Sequence, residues 1–252
     1  MTCLVLLPGM DGTGELFAPF IAALSESVRP TVIAYPPAQL LGYKQLEVYV
    51  RERLPLDEPF VLLGESFSGP IAISIAASPP ANLAGLILCC SFARNPRLAL
   101  AGLKPLIRFL LGLRSSTLSA PLLLTNYATP ELIRQLKQAL AVVSTDVLRA
   151  RLRSILEVDV TDAMRRIRVP ILCLRAKKDF LVPQSASNLI ASLAPQTRVA
   201  ITEGPHMLLQ ASPVATAEIV TNFCSAQITT TSDSQPPHPT PPTPKKAPAH
   251  QS

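Results

Sequence analysis

The chain has 252 residues, 48% of them hydrophobic, and a formal net charge of +6. That is enough apolar material for one large core, and no run approaches the ~20 consecutive apolar residues of a membrane span. Aromatics are scarce and tryptophan is absent, so aliphatic side chains must do the packing. The basic residues also lack the interleaved aromatics of a nucleic-acid surface.

The opening MTCLVLLPGM lacks the basic start and long apolar core of a secretion signal and reads as a first strand, Cys3–Leu7. Further short β-rich runs follow at Thr31–Tyr35, Phe60–Leu63, Leu83–Cys90, Val169–Arg175 and Arg198–Thr202. Segments of helical period lie between most of them, among them Tyr43–Leu54, Phe67–Ser78 and Gln184–Leu193, with Pro213–Cys224 after the last. Continuous apolar strands alternating with helices predict an α/β fold, a mostly parallel six-stranded sheet with helices on both faces.

The alternation breaks once, between Arg94 and Arg168. Only helical patches occur there: Leu106–Leu111, Pro121–Tyr127 and Glu131–Val143, the last with Leu132, Leu136, Ala139 and Leu140 on one face. Such an insertion between two parallel strands predicts a helical cap over residues 94–168, set into a core of 1–93 and 169–227. Residues 228–252 carry seven prolines between Pro236 and Pro248 and almost no apolar side chains, which predicts a solvated, extended tail. The cysteines (Cys3, Cys89, Cys90, Cys173, Cys224) lie in apolar runs without zinc-ligand or redox spacing. Buried free thiols and a cytoplasmic location are the expectation.

The chemistry centres on VLLGESFSG, residues 61–69. A hydrophobic strand ends at Gly64 and a helix of small apolar residues begins soon after Ser66. A nucleophile on so tight a turn needs small neighbours on either side, and the helix N-terminus favours developing negative charge. Gly64 and Ser68 are small; the usual Gly-x-Ser-x-Gly has Ser68 in place of its last glycine, with Gly69 following. Ordinary loops also carry such clusters, so three further features matter.

His238 and His250 lie in the tail, which leaves His206, in EGPHMLLQ, as the histidine of the folded part. Imidazole suits the task of taking a serine proton near neutral pH, although a surface or capping histidine would read the same way. Asp179, in LRAKKDFLVP, directly follows a strand. It either orients the imidazole or starts a turn before Gln184. The order Ser66, Asp179, His206 differs from that of chymotrypsin and subtilisin. Finally, the loop LLPGMDGTGELF holds Gly9, Gly12 and Gly14 beside the nucleophile. It allows the N–H groups of Met10 and Phe67 to form an oxyanion hole and lacks the Lys-Ser/Thr ending of a phosphate-binding loop.

On PGMDGTG, GESFSG, KKDFLVP and GPHMLLQ, the sequence resembles the α/β-hydrolase superfamily, in its capped esterase and thioesterase-like branch, over roughly Leu4 to Phe223. The resemblance implies the α/β-hydrolase fold with strand order 4-3-5-6-7-8 in the family's labels, the usual first hairpin missing. Pro8-Gly9 stands where many relatives carry His-Gly. It also implies acyl transfer through Ser66, with water, activated by His206, releasing the acid. Neither a metal nor an organic cofactor is required, and serine at position 66 argues against alkyl-enzyme chemistry.

The expected substrate is a small-molecule acyl ester or thioester. Residues 94–168 carry 13 Lys/Arg against 5 Asp/Glu, a net +8. That charge either steers an acidic partner such as an acyl carrier protein, coenzyme A or an anionic surface, or reflects solvated helix faces carrying Arg149, Arg151, Arg153, Arg165, Arg166 and Arg168. Stable membrane insertion and nucleic-acid binding are not expected. Two alternatives stand: an acyltransferase using the same residues, since the PGMDGTG loop is similar to one in plant acyl-ester synthases, and a low-turnover ligand-binding protein.

Overall fold

The computed structural model of the chain describes residues 1–96 and 123–232, with side chains as far as Gln227. Six strands form one parallel sheet: β1 (Thr2–Leu7), β2 (Val28–Val32), β3 (Phe60–Glu65), β4 (Leu83–Cys89), β5 (Ile171–Lys178) and β6 (Thr197–Pro205). Their order across the sheet is β2-β1-β3-β4-β5-β6. This is the α/β-hydrolase arrangement that the sequence implies.

Alternation along the strands divides the core into two layers. Val5, Leu7, Leu62, Leu86 and Leu88 point to one face. There they pack against Leu46 and Val50 of α2 (Tyr43–Arg51) and Ile71 and Ile75 of α3 (Gly69–Ala77). Leu4, Leu6, Val61, Leu63 and Ile87 point to the other face, against Phe20 of α1 (Ala18–Ala23) and Val220 and Phe223 of the last helix. Both faces are covered, which is why these strands are apolar throughout.

Between β4 and β5 the described residues are helical: α4 (Pro130–Ala141), α5 (Thr145–Glu157) and α6 (Thr161–Arg166). Thr129 caps α4 by accepting the Leu132 N–H at 3.2 Å, and Ser144 caps α5 by accepting the Val147 N–H at 3.2 Å. Leu132, Leu136 and Ala139 face inward, as their spacing predicts. Met164 of α6 and the following Ile167 join the layer containing α3. The expected patch Leu106–Leu111 and the start of Pro121–Tyr127 lie outside the described residues.

The remaining helices are α7 (Gln184–Leu193), α8 (Leu208–Ala211) and α9 (Pro213–Ser232). Two differences from the sequence reading have local causes. The second strand runs Val28–Val32 rather than Thr31–Tyr35, paired from Thr2↔Val28 to Leu6↔Val32. It contains Pro30, which an edge strand tolerates because its missing N–H faces away from the ladder. The last helix continues past Ile228 to Ser232, into the segment expected to be extended. No helix of the described residues is long and apolar enough to cross a membrane.

The chain winds from β1 outward to β2, then returns to place β3 on the other side of β1. In an open parallel sheet, that reversal opens a crevice at the carboxyl ends of the flanking strands, where ligands bind. The carboxyl ends of β1 and β3 lead directly into the glycine loop and Ser66.

Candidate active site

Ser66 sits on a turn of 3-10 helix, Ser66–Ser68, between β3 and α3, with φ of +47°. A left-handed serine is strained, and crowding around it explains which neighbours are small. A Cβ on Gly64 would stand 2.9 Å from the Ala72 Cβ and from the Ser68 carbonyl oxygen. A Cβ on Gly69 would stand 1.7 Å from the Ser91 Oγ. The turn therefore needs glycine at Gly64 and also at Gly69, one place beyond the usual motif.

Ser68, which replaces the motif's last glycine, is fully buried. Its hydroxyl donates to the Pro8 carbonyl and accepts from the Tyr35 hydroxyl at 2.6 Å. The substitution thus ties the turn to the loop after β1. Burial pushes the Tyr35 phenol far above its ordinary pKa, so it remains a neutral donor. Ser91, after β4, donates to the Ser66 carbonyl at 2.7 Å. Tyr43 stacks on Phe67 with centroids 4.8 Å apart.

The three residues named from sequence come together. Ser66 Oγ lies 2.8 Å from His206 Nε2, and His206 Nδ1 lies 2.8 Å from Asp179 Oδ2. The His206 and Asp179 side chains are 7% and 2% exposed. The other Asp179 oxygen accepts the N–H groups of Leu181 and Val182 at 2.9 and 2.8 Å. The two readings of Asp179 therefore hold together: one oxygen closes the turn before α7 and the other meets the imidazole. With Nδ1–H donated to the carboxylate, Nε2 is left to accept the serine proton.

The glycine loop needs its glycines at two positions, Gly12 and Gly14, with φ of +74° and +77°. Asp11 folds it by accepting from the Thr13 N–H and hydroxyl at 2.9 and 2.7 Å, and the Tyr35 N–H holds the Gly12 carbonyl at 2.7 Å. Met10 is half-buried on this loop and Phe67 is fully buried next to Ser66.

Three features of the site escaped the sequence reading. Glu65, immediately before Ser66, is buried and accepts the Gln210 side-chain N–H at 3.0 Å. Burial pushes its carboxyl up to about 7, and Asp11 nearby adds to the shift. Tyr35 falls inside the expected strand Thr31–Tyr35, and Ser91 lies just beyond the expected strand Leu83–Cys90. Arg151 corrects the solvated-face reading: Arg149, Arg153, Arg165, Arg166 and Arg168 are exposed, but Arg151 is 2% exposed. The signal was its spacing, since Val147, Arg151 and Ile155 recur every four residues on the inward face of α5.

A family model described as "Alpha/beta hydrolase family" matches residues 4–219. The chain belongs to the alpha/beta hydrolase family. It is 25% identical over 246 residues to a protein of Caulobacter sp. (strain K31) named as a carbamate hydrolase, RutD, covering 88% of this chain and 90% of that one. It is 28% identical over 243 residues to the pimeloyl-[acyl-carrier protein] methyl ester esterase of Aeromonas hydrophila, covering 87% and 94%. The enol-lactonase of Burkholderia xenovorans LB400 superposes with a TM-score of 0.73 over 89% of this chain and 91% of its own, at 17% identity. That last likeness concerns the fold.

Proposed function

We propose that this alpha/beta hydrolase cleaves a carboxylic ester or thioester through an acyl-enzyme on Ser66. The observation that carries the reading is the unbroken hydrogen-bonded chain from Ser66 Oγ through His206 to Asp179, each link 2.8 Å. His206 Nε2 takes the Ser66 proton as Oγ attacks the substrate carbonyl, and the N–H groups of Met10 and Phe67 receive the oxyanion. The imidazolium then protonates the departing alkoxide or thiolate, which leaves as the alcohol or thiol. Water, deprotonated by the same nitrogen, attacks the acyl carbon, and collapse returns the proton to Ser66 Oγ and releases the acid. Asp179 keeps the ring in its tautomer and stabilises the transient cation. The chemistry calls for neither a metal nor an organic cofactor.

The reading favours a small acyl substrate over an acidic carrier. Leu132, Leu136 and Ala139 of α4 pack with Leu16 of the glycine loop and Met207 beside His206. This sets an apolar cluster against the residue that follows His206. On the cap, Arg134, Arg149 and Arg165 are each paired with a carboxylate on their own helix, so they are engaged locally and not offered to the carboxylates of an acidic carrier.

The test compares wild type with Ser66→Ala on p-nitrophenyl esters and acyl thioesters of increasing chain length, with fluorophosphonate labelling alongside. Turnover and labelling that vanish in the variant are expected. Equal inertness of both proteins, without labelling, would overturn the reading.

A further inference from the structure

The buried arginine of α5 sits at the loop proposed to hold the oxyanion. Arg151 Nη1 donates to the carbonyls of Met10 at 2.9 Å and Asp11 at 2.7 Å, and Nη2 donates to that of Pro36 at 3.3 Å. Its guanidinium carbon stands 5.6 Å from the centre of the Tyr35 ring. Among the described residues its hydrogen-bond partners are thus backbone carbonyls rather than carboxylates. Burying a guanidinium without a directly bonded carboxylate is unfavourable, and here three charge-assisted bonds converge on the turns beside Ser66, with the charge of nearby buried Asp11, to offset that cost.

The loop is shaped for this side chain. A Cβ on Gly12 would come within 2.4 Å of Nη1 and 2.9 Å of Cζ, so that glycine leaves the space the guanidinium fills. The planar fork reaches two successive carbonyls at once, which a lysine ammonium on one stem does less well. Holding the Met10 and Asp11 carbonyls fixes the two peptide planes that follow the Met10 N–H. The cap also grips the other side of the site, because the Met207 N–H donates to the Leu123 carbonyl at 3.2 Å directly after His206.

We infer that Arg151 is a positioning residue through which the cap holds the glycine loop in its oxyanion-binding shape, so that loop geometry and cap seating are one event. The inference rests on the hydrolase reading for its catalytic consequence, while the loop-holding itself does not depend on it.

The experiment compares wild type, Arg151→Met and Arg151→Lys by amide hydrogen exchange of the segment 8–14 and by steady-state kinetics on a neutral p-nitrophenyl ester. The Gly12 and Thr13 amides, bonded to the Gly9 carbonyl and the Asp11 carboxylate, are expected to exchange at least about tenfold faster in Arg151→Met. Its kcat should fall about 10- to 100-fold, short of the direct loss of a donor, with KM within about threefold. Arg151→Lys, which keeps the charge, should recover part of both, and it carries the test if the methionine variant does not fold. Unchanged exchange overturns the proposal, as does faster exchange with unchanged kcat. Wild-type protein that neither labels at Ser66 nor turns over fails the hydrolase reading instead, and the exchange arm then still decides the role of Arg151.

Discussion

At the scale of single residues, Glu65 sits where three parts of the site meet. Its own backbone leads into Ser66, its carboxyl oxygen lies 3.7 Å from where a Cβ on Gly9 of the glycine loop would stand, and Gln210 reaches it from α8 beyond His206. Its carboxyl holds a proton up to about pH 7, against an ordinary 4.5. Between those values the folded chain keeps a proton that the unfolded chain gives up. Stability from this group is therefore greatest below about pH 4.5 and declines as pH rises through about 7. The whole change is on the order of 3 kcal/mol. Glu65→Gln is neutral throughout and should remove that decline. Urea unfolding of both proteins at pH 5 and pH 8 checks it: the variant's advantage should grow at the higher pH, and a constant difference would rule the linkage out. Within GESFSG this glutamate carries no signal of its role, because nothing local says that the residue before Ser66 is buried.

At the scale of elements, the start of α3 rests on a contact between two strand ends. Ser91, after β4, fills the space that Gly69 leaves open, and its hydroxyl holds the Ser66 carbonyl. Gly69→Ala forces the new methyl into the Ser91 side chain and should lower stability by ~2–3 kcal/mol. In Gly69→Ala combined with Ser91→Gly the collision is gone, so the double variant should lose less than the two single losses added together. Thermal unfolding of all four proteins gives that coupling, and strict additivity would show that the two residues do not share the space. The motif places a tight strand-to-helix turn at Ser66, and a 3-10 turn lies there. It does not reveal that Gly69 shares the steric demand with Gly64 while Ser68 makes a buried link from Pro8 to Tyr35. The second strand misled it in a related way: Thr31–Tyr35 has the stronger β composition, yet pairing with β1 begins at Val28 and runs through Pro30. Register on an edge strand is set by its neighbour, which composition alone does not reveal.

At the scale of the whole molecule, apolar runs and their alternation with helices carried the parallel sheet and its layers. The same legibility failed for charge. Residues 94–168 hold a net +8, in which the carboxylates paired with Arg134, Arg149 and Arg165 are already counted, but Arg151 is buried inside the structure and not on a solvated face. The remaining field should still be measurable. For an anionic acyl-coenzyme A, kcat/KM should fall several-fold as salt rises from about 50 mM to about 500 mM, while a neutral p-nitrophenyl ester should change less than about twofold. Equal salt dependence for both substrates would mean that the cap does not steer.

The wide spacing of the three site residues along the chain, on loops after β3, β5 and β6, has a kinetic consequence. Ser66 is 140 positions from His206 and the acid is 27 positions from the base. A helical hairpin can close early in refolding, but this hydrogen-bonded relay has to wait until the far edge of the sheet has docked, a slow step for non-local parallel pairing. Helical signal should accordingly return before reactivity does. The appearance of a serine that captures a fluorophosphonate would then serve as a clock for the last stage of assembly.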